Sequence, residues 1–314
     1  MLVMMSKEVK RLHVETEKII SDCIKRWNSD NELDDSLEFF KDQFSIWFSK
    51  IPEDTQSVVC RLLEIFDYYS HKRANMHLSQ LHQKLTQSYP FLNNDNTIFT
   101  FIKSGNSESK SSNDYWSEYK RINQISHYIC CIDIKDLDEN QLSKIGNIVL
   151  IDDCCASGNS LINFIKSNID LFTNKSIFVV TIHVMENAIT KLEDFANKNN
   201  FKINFIYITK RMKAFTHKIF KYDKHIAKIL FRNVSKLLEI PDNEIFGRYS
   251  SESLMAFYNN TPNNTLGVFR YKTNTNNPLF PRRQEVKPTW WSMKKRNKIQ
   301  KISNYNKEIG NRND

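Results

Sequence analysis

Apolar positions recur at helical spacing through the first ninety residues and then give way to short β-branched runs. Between Ser6 and about Asn28 the residues Val9, Leu12, Val14, Ile19, Ile20, Cys23, Ile24 and Trp27 follow helical periodicity. A second helical stretch runs from Asp35 to Phe48, with Leu37, Phe39, Phe40, Phe44, Trp47 and Phe48 apolar. Pro52-Glu53-Asp54 puts proline and two acids where a helix starts, ahead of Val58, Val59, Leu62, Leu63, Ile65 and Phe66. A further helix is predicted over Asn75–Ser88, stopped by Pro90. Residues 1–90 therefore read as an all-helical region, with His71, His77 and His82 expected at its surface or an interface.

From Thr97 onward strands and helices alternate. Strands are predicted at Thr97–Ile102, Tyr128–Ile134, Asn147–Asp152, Ser176–Val184 and Lys202–Ile208, with helices at Ser160–Phe172 and Glu186–Asn199. This alternation argues an α/β fold with a parallel sheet and right-handed crossovers, spanning residues 91–281. Ligands bind at the carboxyl ends of such strands, where Lys103, Asp152 and Glu186 fall. Lys221–Glu239 and Ser250–Tyr258 read as helical. The Asn/Thr/Pro cluster Asn259–Leu266 reads as a turn forming a polar lip over a pocket.

The chemistry concentrates where Ile148–Ile151 ends in Asp152-Asp153, followed by Cys154, Cys155, Ala156, Ser157, Gly158, Asn159 and Ser160, and then by the apolar helix Leu161–Ile165. Strand, tight loop and helix start follow one another. Unpaired N–H groups and the positive dipole end of a helix start bind phosphate. Gly158 permits close backbone approach, and the Ser157 and Ser160 hydroxyls add donors. The acids one step back suit sugar hydroxyls. A phosphate site beside a diol site describes a ribose 5-phosphate pocket.

Composition narrows the setting. The six cysteines (Cys23, Cys60, Cys130, Cys131, Cys154 and Cys155) sit in apolar segments without zinc spacing and read as buried thiols. No apolar run approaches the ~20 residues of a membrane span, and Met1–Lys10 lacks a signal-peptide core, so a cytoplasmic protein without membrane contact is expected. The net charge is +9, and residues 282–314 hold ten Lys/Arg against three Asp/Glu. In this tail Trp290 and Trp291 precede Lys294, Lys295 and Arg296, a combination suited to single-stranded nucleic acid. The competing reading is a solvated tail.

Asp152 to Ser160 resembles, position for position, the phosphoribosyl-pyrophosphate motif of type I phosphoribosyltransferases, with Ser157 in place of the commoner Thr. The resemblance implies a type I phosphoribosyltransferase-like parallel sheet flanked by helices, preceded here by the helical region. It implies catalysis by positioning and electrostatics, with Mg²⁺ as cofactor and phosphoribosyl pyrophosphate or a nucleotide as ligand. Asp152 and Asp153 would act on the ribose hydroxyls or on a metal bound to them, and Ala156, Ser157, Gly158, Asn159 and Ser160 would hold the 5′-phosphate. Lys103-Ser104-Gly105 resembles the short pyrophosphate loop of the same class, with Lys110-Ser111-Ser112 as the rival position.

Shorter matches, among them Leu62-Leu63-Glu64, Tyr68-Tyr69-Ser70, Asn260–Leu266 and Pro278–Arg282, are similar to a phosphoribosyltransferase-like family of bacterial conflict and anti-phage loci, some beside retron reverse transcriptases. That resemblance implies a defence effector with a partner protein. The alternative is a catalytically inactive nucleotide-sensing or partner-binding subunit that contacts nucleic acid through its tail.

Overall fold

The first described residues form helices because their apolar positions recur every three to four residues. The computed structural model describes residues 17–27, 35–102 and 110–283. Within these lie α1 (residues 17–27), α2 (Asp35–Phe48), α3 (Glu53–Glu64) and α4 (His71–Ser88). Pro52 stands at the N-cap of α3 with Glu53 and Asp54 in the first turn, and Val58, Val59, Leu62 and Leu63 are buried. Ile65 and Phe66, expected inside this helix, lie beyond its end. The chain extends there into a three-residue strand, β1 (Asp67–Tyr69), the one strand among the described residues of the helical region. Helix α4 starts four residues earlier than its apolar pattern because the Ser70 hydroxyl accepts from the Arg73 N–H at 3.2 Å. His77, expected at the surface or an interface, is buried with Nδ1 against Gln80 Oε1.

The α/β part follows as β2 (Thr97–Phe101), α5 (Lys110–Ile122), α6 (Glu139–Lys144), β3 (Asn147–Cys155), α7 (Asn159–Lys166), α8 (Ile169–Phe172), β4 (Ser176–Met185), α9 (Glu186–Lys198) and β5 (Lys202–Arg211). The strands lie in the order β2-β3-β4-β5, all parallel, with Thr97 opposite Asn147, Asn147 opposite Ser176 and Ser176 opposite Lys202. The strand starts are thus level, and the carboxyl ends form one edge. Helices α4 and α5 pack on this sheet, α9 packs on β4 and β5, and α7 packs on α9. Ile148–Ile151 and Ile177–Val180 are essentially inaccessible, which explains continuous rather than alternating apolar runs.

The chain then forms α10 (Lys224–Leu237), α11 (Asp242–Ile245), β6 (Met255–Phe257) and α12 (Gly267–Arg270). Strand β6 pairs in parallel with β1. A second apolar cluster joins Trp27, Phe40 and Phe66 to Phe269 and Phe280, with Phe66 and Phe280 stacked at 4.7 Å. The described residues up to Arg282 belong to one compact unit. No helix among the described residues is long and apolar enough to cross a membrane.

Four expectations are corrected. Tyr128–Ile134 is not a strand. Ser126 and Asp133 cap 3₁₀ turns at His127–Ile129 and Ile134–Asp136, only an isolated bridge joins Cys130 to Phe99, and Tyr128 and Ile132 face solvent. Ser250–Tyr258 is not a helix, because Tyr249, Ser250 and Glu252 take positive φ, and the chain becomes β6 instead. The helix Ser160–Phe172 is two, broken at Ser167-Asn168, where the Asn168 side chain folds back onto Phe164 O. Lys110-Ser111-Ser112 is not loop but the first turn of α5.

The tail does not hold all the basic character. Residues 210–238 carry nine Lys/Arg against one Asp, a net of +8 that acids elsewhere in the body cancel.

Candidate functional site

Strand β3 runs four residues past the apolar stretch Ile148–Ile151, so that Asp152 and Asp153 lie in its carboxyl-terminal half and are each 8% exposed. Local bonds hold them. Asp152 Oδ1 accepts from the Asp153 N–H at 3.0 Å, and Asp153 Oδ1 accepts from the Cys154 N–H at 2.8 Å. The Ser112 hydroxyl, from the first turn of α5, donates to Asp152 Oδ1 at 2.7 Å. The rival loop position therefore contributes to the site through its third residue, and it does so by holding an acid.

Burial, and then the neighbouring Asp153 charge, push the Asp152 carboxyl well above the usual carboxylate range. Burial raises Asp153 as well. Two carboxylates enclosed side by side resist ionising together. A ligand that brings hydroxyl donors or a cation to this pair relieves that strain, which suits a ribose diol. The adjoining thiols do not compete as nucleophiles. Burial, followed by the Asp153 charge, raises Cys154 well above its usual value, and burial pushes Cys155 up to about 12.

The loop that follows is shaped for an anion. Gly158 takes φ +72°, a left-handed conformation, as the N-cap of α7. No side chain caps that helix start; the nearest approach is a long contact of 3.4 Å from the Asn159 N–H to Ser157 Oγ. Ala156 and Gly158 are buried, Ser157 and Asn159 are half-buried, and Ser160 is exposed. All five expected phosphate-loop residues are therefore brought to one turn beside the acid pair. Lys103, Ser104 and Gly105 lie outside the described residues, as do Trp290, Trp291, Lys294, Lys295 and Arg296.

Several neighbours were not foreseen. Helix α9 forms the floor of the loop: a Cβ at Gly158 would stand 3.3 Å from Leu192 and 3.4 Å from the Ala188 carbonyl. Asn187 Nδ2 donates to Ala156 O at 3.5 Å, and Lys191 Nζ donates to Asn159 Oδ1. Arg282 lies near enough to Asp153 to interact electrostatically, and its guanidinium donates to Thr261 O at 2.7 Å. Tyr115 Oη donates to Asn259 Oδ1 at 3.3 Å. The expected polar lip is thus pinned from two sides, and Thr261 and Thr265 within it are buried.

Beside the site, β1 meets the main sheet through a buried polar group. Arg211 forms two hydrogen bonds to Asp67, at 2.8 and 3.0 Å. Tyr69 Oη lies 3.0 Å from His183 Nδ1, and His183 stands opposite Cys154 in the register. Among the described residues no cluster of three or more metal-ligating side chains occurs. A divalent ion here would need oxygens from a ligand in addition to Asp152 and Asp153, the arrangement usual for Mg²⁺ on phosphates.

A family model described as PRTase-CE matches residues 24–282 of the chain. Among solved structures, Helicobacter pylori xanthine-guanine-hypoxanthine phosphoribosyltransferase is similar at 11% identity and a TM-score of 0.30, over 46% of this chain and 88% of its own. No curated protein matches.

Proposed function

Because the chain belongs to the PRTase-CE family, we propose that it is a type I phosphoribosyltransferase-like protein that binds phosphoribosyl pyrophosphate or a nucleoside 5′-monophosphate at the turn between β3 and α7. The observation that carries this reading is the left-handed Gly158 opening an uncapped helix start directly after the buried Asp152–Asp153 pair. In this reading the N–H groups of Gly158, Asn159 and Ser160, with the Ser157 hydroxyl, hold the 5′-phosphate. Asp152 and Asp153 accept from the ribose hydroxyls and orient the ring. Lys103, Ser104 and Gly105 are assigned to pyrophosphate.

Transfer breaks the bond between the anomeric carbon and pyrophosphate and forms one to a nucleobase nitrogen, and the reverse reaction releases the base. The developing positive charge on the sugar lies beside the acid pair, whose carboxylates stabilise it. Mg²⁺, held through ligand oxygens beside Asp152 and Asp153, would neutralise charge on the leaving pyrophosphate. The setting proposed is bacterial anti-phage defence of the retron type.

A second reading is a nucleotide-sensing subunit of such a complex without turnover. It draws support from the near-complete enclosure of both acids. Pyrophosphate release measured with phosphoribosyl pyrophosphate, Mg²⁺ and a panel of bases separates the two, because a sensor binds without releasing pyrophosphate. The common binding claim is tested by Gly158→Val. Valine there is strained at φ +72° and crowds Leu192, so calorimetric binding of ribose 5-phosphate is expected to vanish in a folded protein. Unchanged affinity would overturn the assignment of the loop.

A further inference from the structure

We infer that Lys191, on α9, is a phosphate-binding residue of this site, and that it acts both as a charge and as the group that orients Asn159. The inference rests on the assignment of the β3–α7 turn to a 5′-phosphate. Its starting point is the way α9 underlies that turn. Ala188 and Leu192 face Gly158, and Asn187 reaches Ala156 O. Lys191 lies four residues after Asn187 and so projects from the same face of the helix. Its ammonium donates to Asn159 Oδ1, on the first residue of α7.

That placement is electrostatically unfavourable in isolation. The start of a helix carries partial positive charge, and a cation there is repelled. Ordering a lysine stem also costs rotamer freedom. No carboxylate among the described residues forms an ion pair with Lys191; its hydrogen-bond partner is the neutral amide of Asn159. An anion bound to the α7 N–H groups offsets these costs, since it is attracted by the helix start and by the ammonium together.

The hydrogen bond also has a directional consequence. With Oδ1 of Asn159 committed to Lys191, the amide Nδ2 is left to donate, and the side chain presents N–H rather than C=O toward an anion. Without the ammonium the amide is free to turn its oxygen toward the phosphate, which would repel it. Lys191 thereby contributes to affinity for a phosphate monoester in two ways that a loop of small residues alone lacks.

The test compares wild type, Lys191→Ala, Lys191→Gln and Lys191→Arg by calorimetry with ribose 5-phosphate at low and moderate salt. Lys191 is exposed, so the folded state should be retained. Both neutral variants are expected to bind about tenfold more weakly, at the lower end for a charge-assisted hydrogen bond because the site is solvated. Arginine should restore most of the affinity, and the salt dependence should shrink in the neutral variants. If turnover is present, KM for phosphoribosyl pyrophosphate should rise while kcat holds. Wild type that binds ribose 5-phosphate with Lys191→Ala equally tight would overturn the role of Lys191 alone. Wild type that binds no phosphate compound would overturn it together with the loop assignment.

Discussion

The Ser112 hydroxyl and the Asp152 carboxylate meet at 2.7 Å, a hydrogen bond that ties the first turn of α5 to the end of β3 across forty residues of sequence. Both groups are buried. Helix α5 begins at Lys110, five residues beyond Gly105 in the sequence.

Ser112→Ala should therefore leave a buried carboxylate oxygen short of a donor, a loss of about 1–3 kcal/mol. The Ser112 bond also lowers the Asp152 carboxyl against the larger effect of burial. Its removal is expected to shift the acid limb of pyrophosphate release toward higher pH, with weaker turnover near neutrality. A pH–rate profile checks this, and an unmoved midpoint would refute the role given to Ser112.

Asp152→Asn, alone or with Asp153→Asn, should stabilise the free protein while removing turnover. The sign follows from linkage. Folding raises the Asp152 carboxyl, so the folded state binds its proton more tightly than the unfolded state. The stability this lends is complete below the ordinary carboxylate range, about pH 4, and is lost as pH rises through the folded value. Asparagine escapes that loss. Calorimetric melting should show the variant more stable than wild type at pH 8, with the gain shrinking toward pH 5. Phosphate affinity should be retained or improved, since the acids face the sugar. A variant that melts lower at pH 8 would contradict the argument.

His183 should make the protein acid-sensitive. Its imidazole is buried, Nε2 has no partner, and burial lowers its pKa to about 4 despite the opposing charge of Asp67 at 3.8 Å. A histidine depressed by folding contributes stability above its unfolded pKa, near 6.5, that is lost as pH falls toward 4. The span corresponds to roughly 3 kcal/mol. His183→Gln should flatten the melting temperature between pH 6.5 and 4.5, relative to the fall seen in wild type. A parallel fall in both would show that other groups set the acid limit.

Legibility in the sequence followed range. The β3 run, the acid pair and the Ser-Gly-Asn-Ser turn are contiguous, so their chemistry could be read from spacing alone. The start of α3 is legible to within a residue because proline and two acids mark it. Tyr128–Ile134 was misread because its apolar residues are not all buried: Tyr128 and Ile132 point outward. Ser250–Tyr258 reads as helical because its positive-φ residues, Ser250 and Glu252, carry no glycine signal. The second support of the loop, Asn187 and Lys191, lies about thirty residues away and becomes visible only when α9 packs beneath Gly158. Asp67 and Arg211 pair across 144 residues, and no local pattern announces that.

The basic tail offers the last test, because two segments now compete for any nucleic acid. Residues 282–314 hold a net +7, and residues 210–238 hold a net +8. Each phosphate neutralised by either segment releases counterions, so salt dependence alone cannot distinguish them. Aromatic content can. Trp290 and Trp291 would stack on unpaired bases, worth roughly 1–3 kcal/mol per base, whereas α10 exposes Ile226, Ile229 and Leu237. If the tail is the nucleic-acid arm, truncation after Arg283 should strongly weaken anisotropy-detected binding of single-stranded oligonucleotide while leaving ribose 5-phosphate affinity unchanged. Lys224→Glu with Lys236→Glu in the full-length chain should then have a small effect. Retained oligonucleotide binding by the truncated protein, with loss in the Lys224/Lys236 variant, would move the function from the tail to the body. Loss of thermal stability on truncation would instead assign Trp290 and Trp291 to packing.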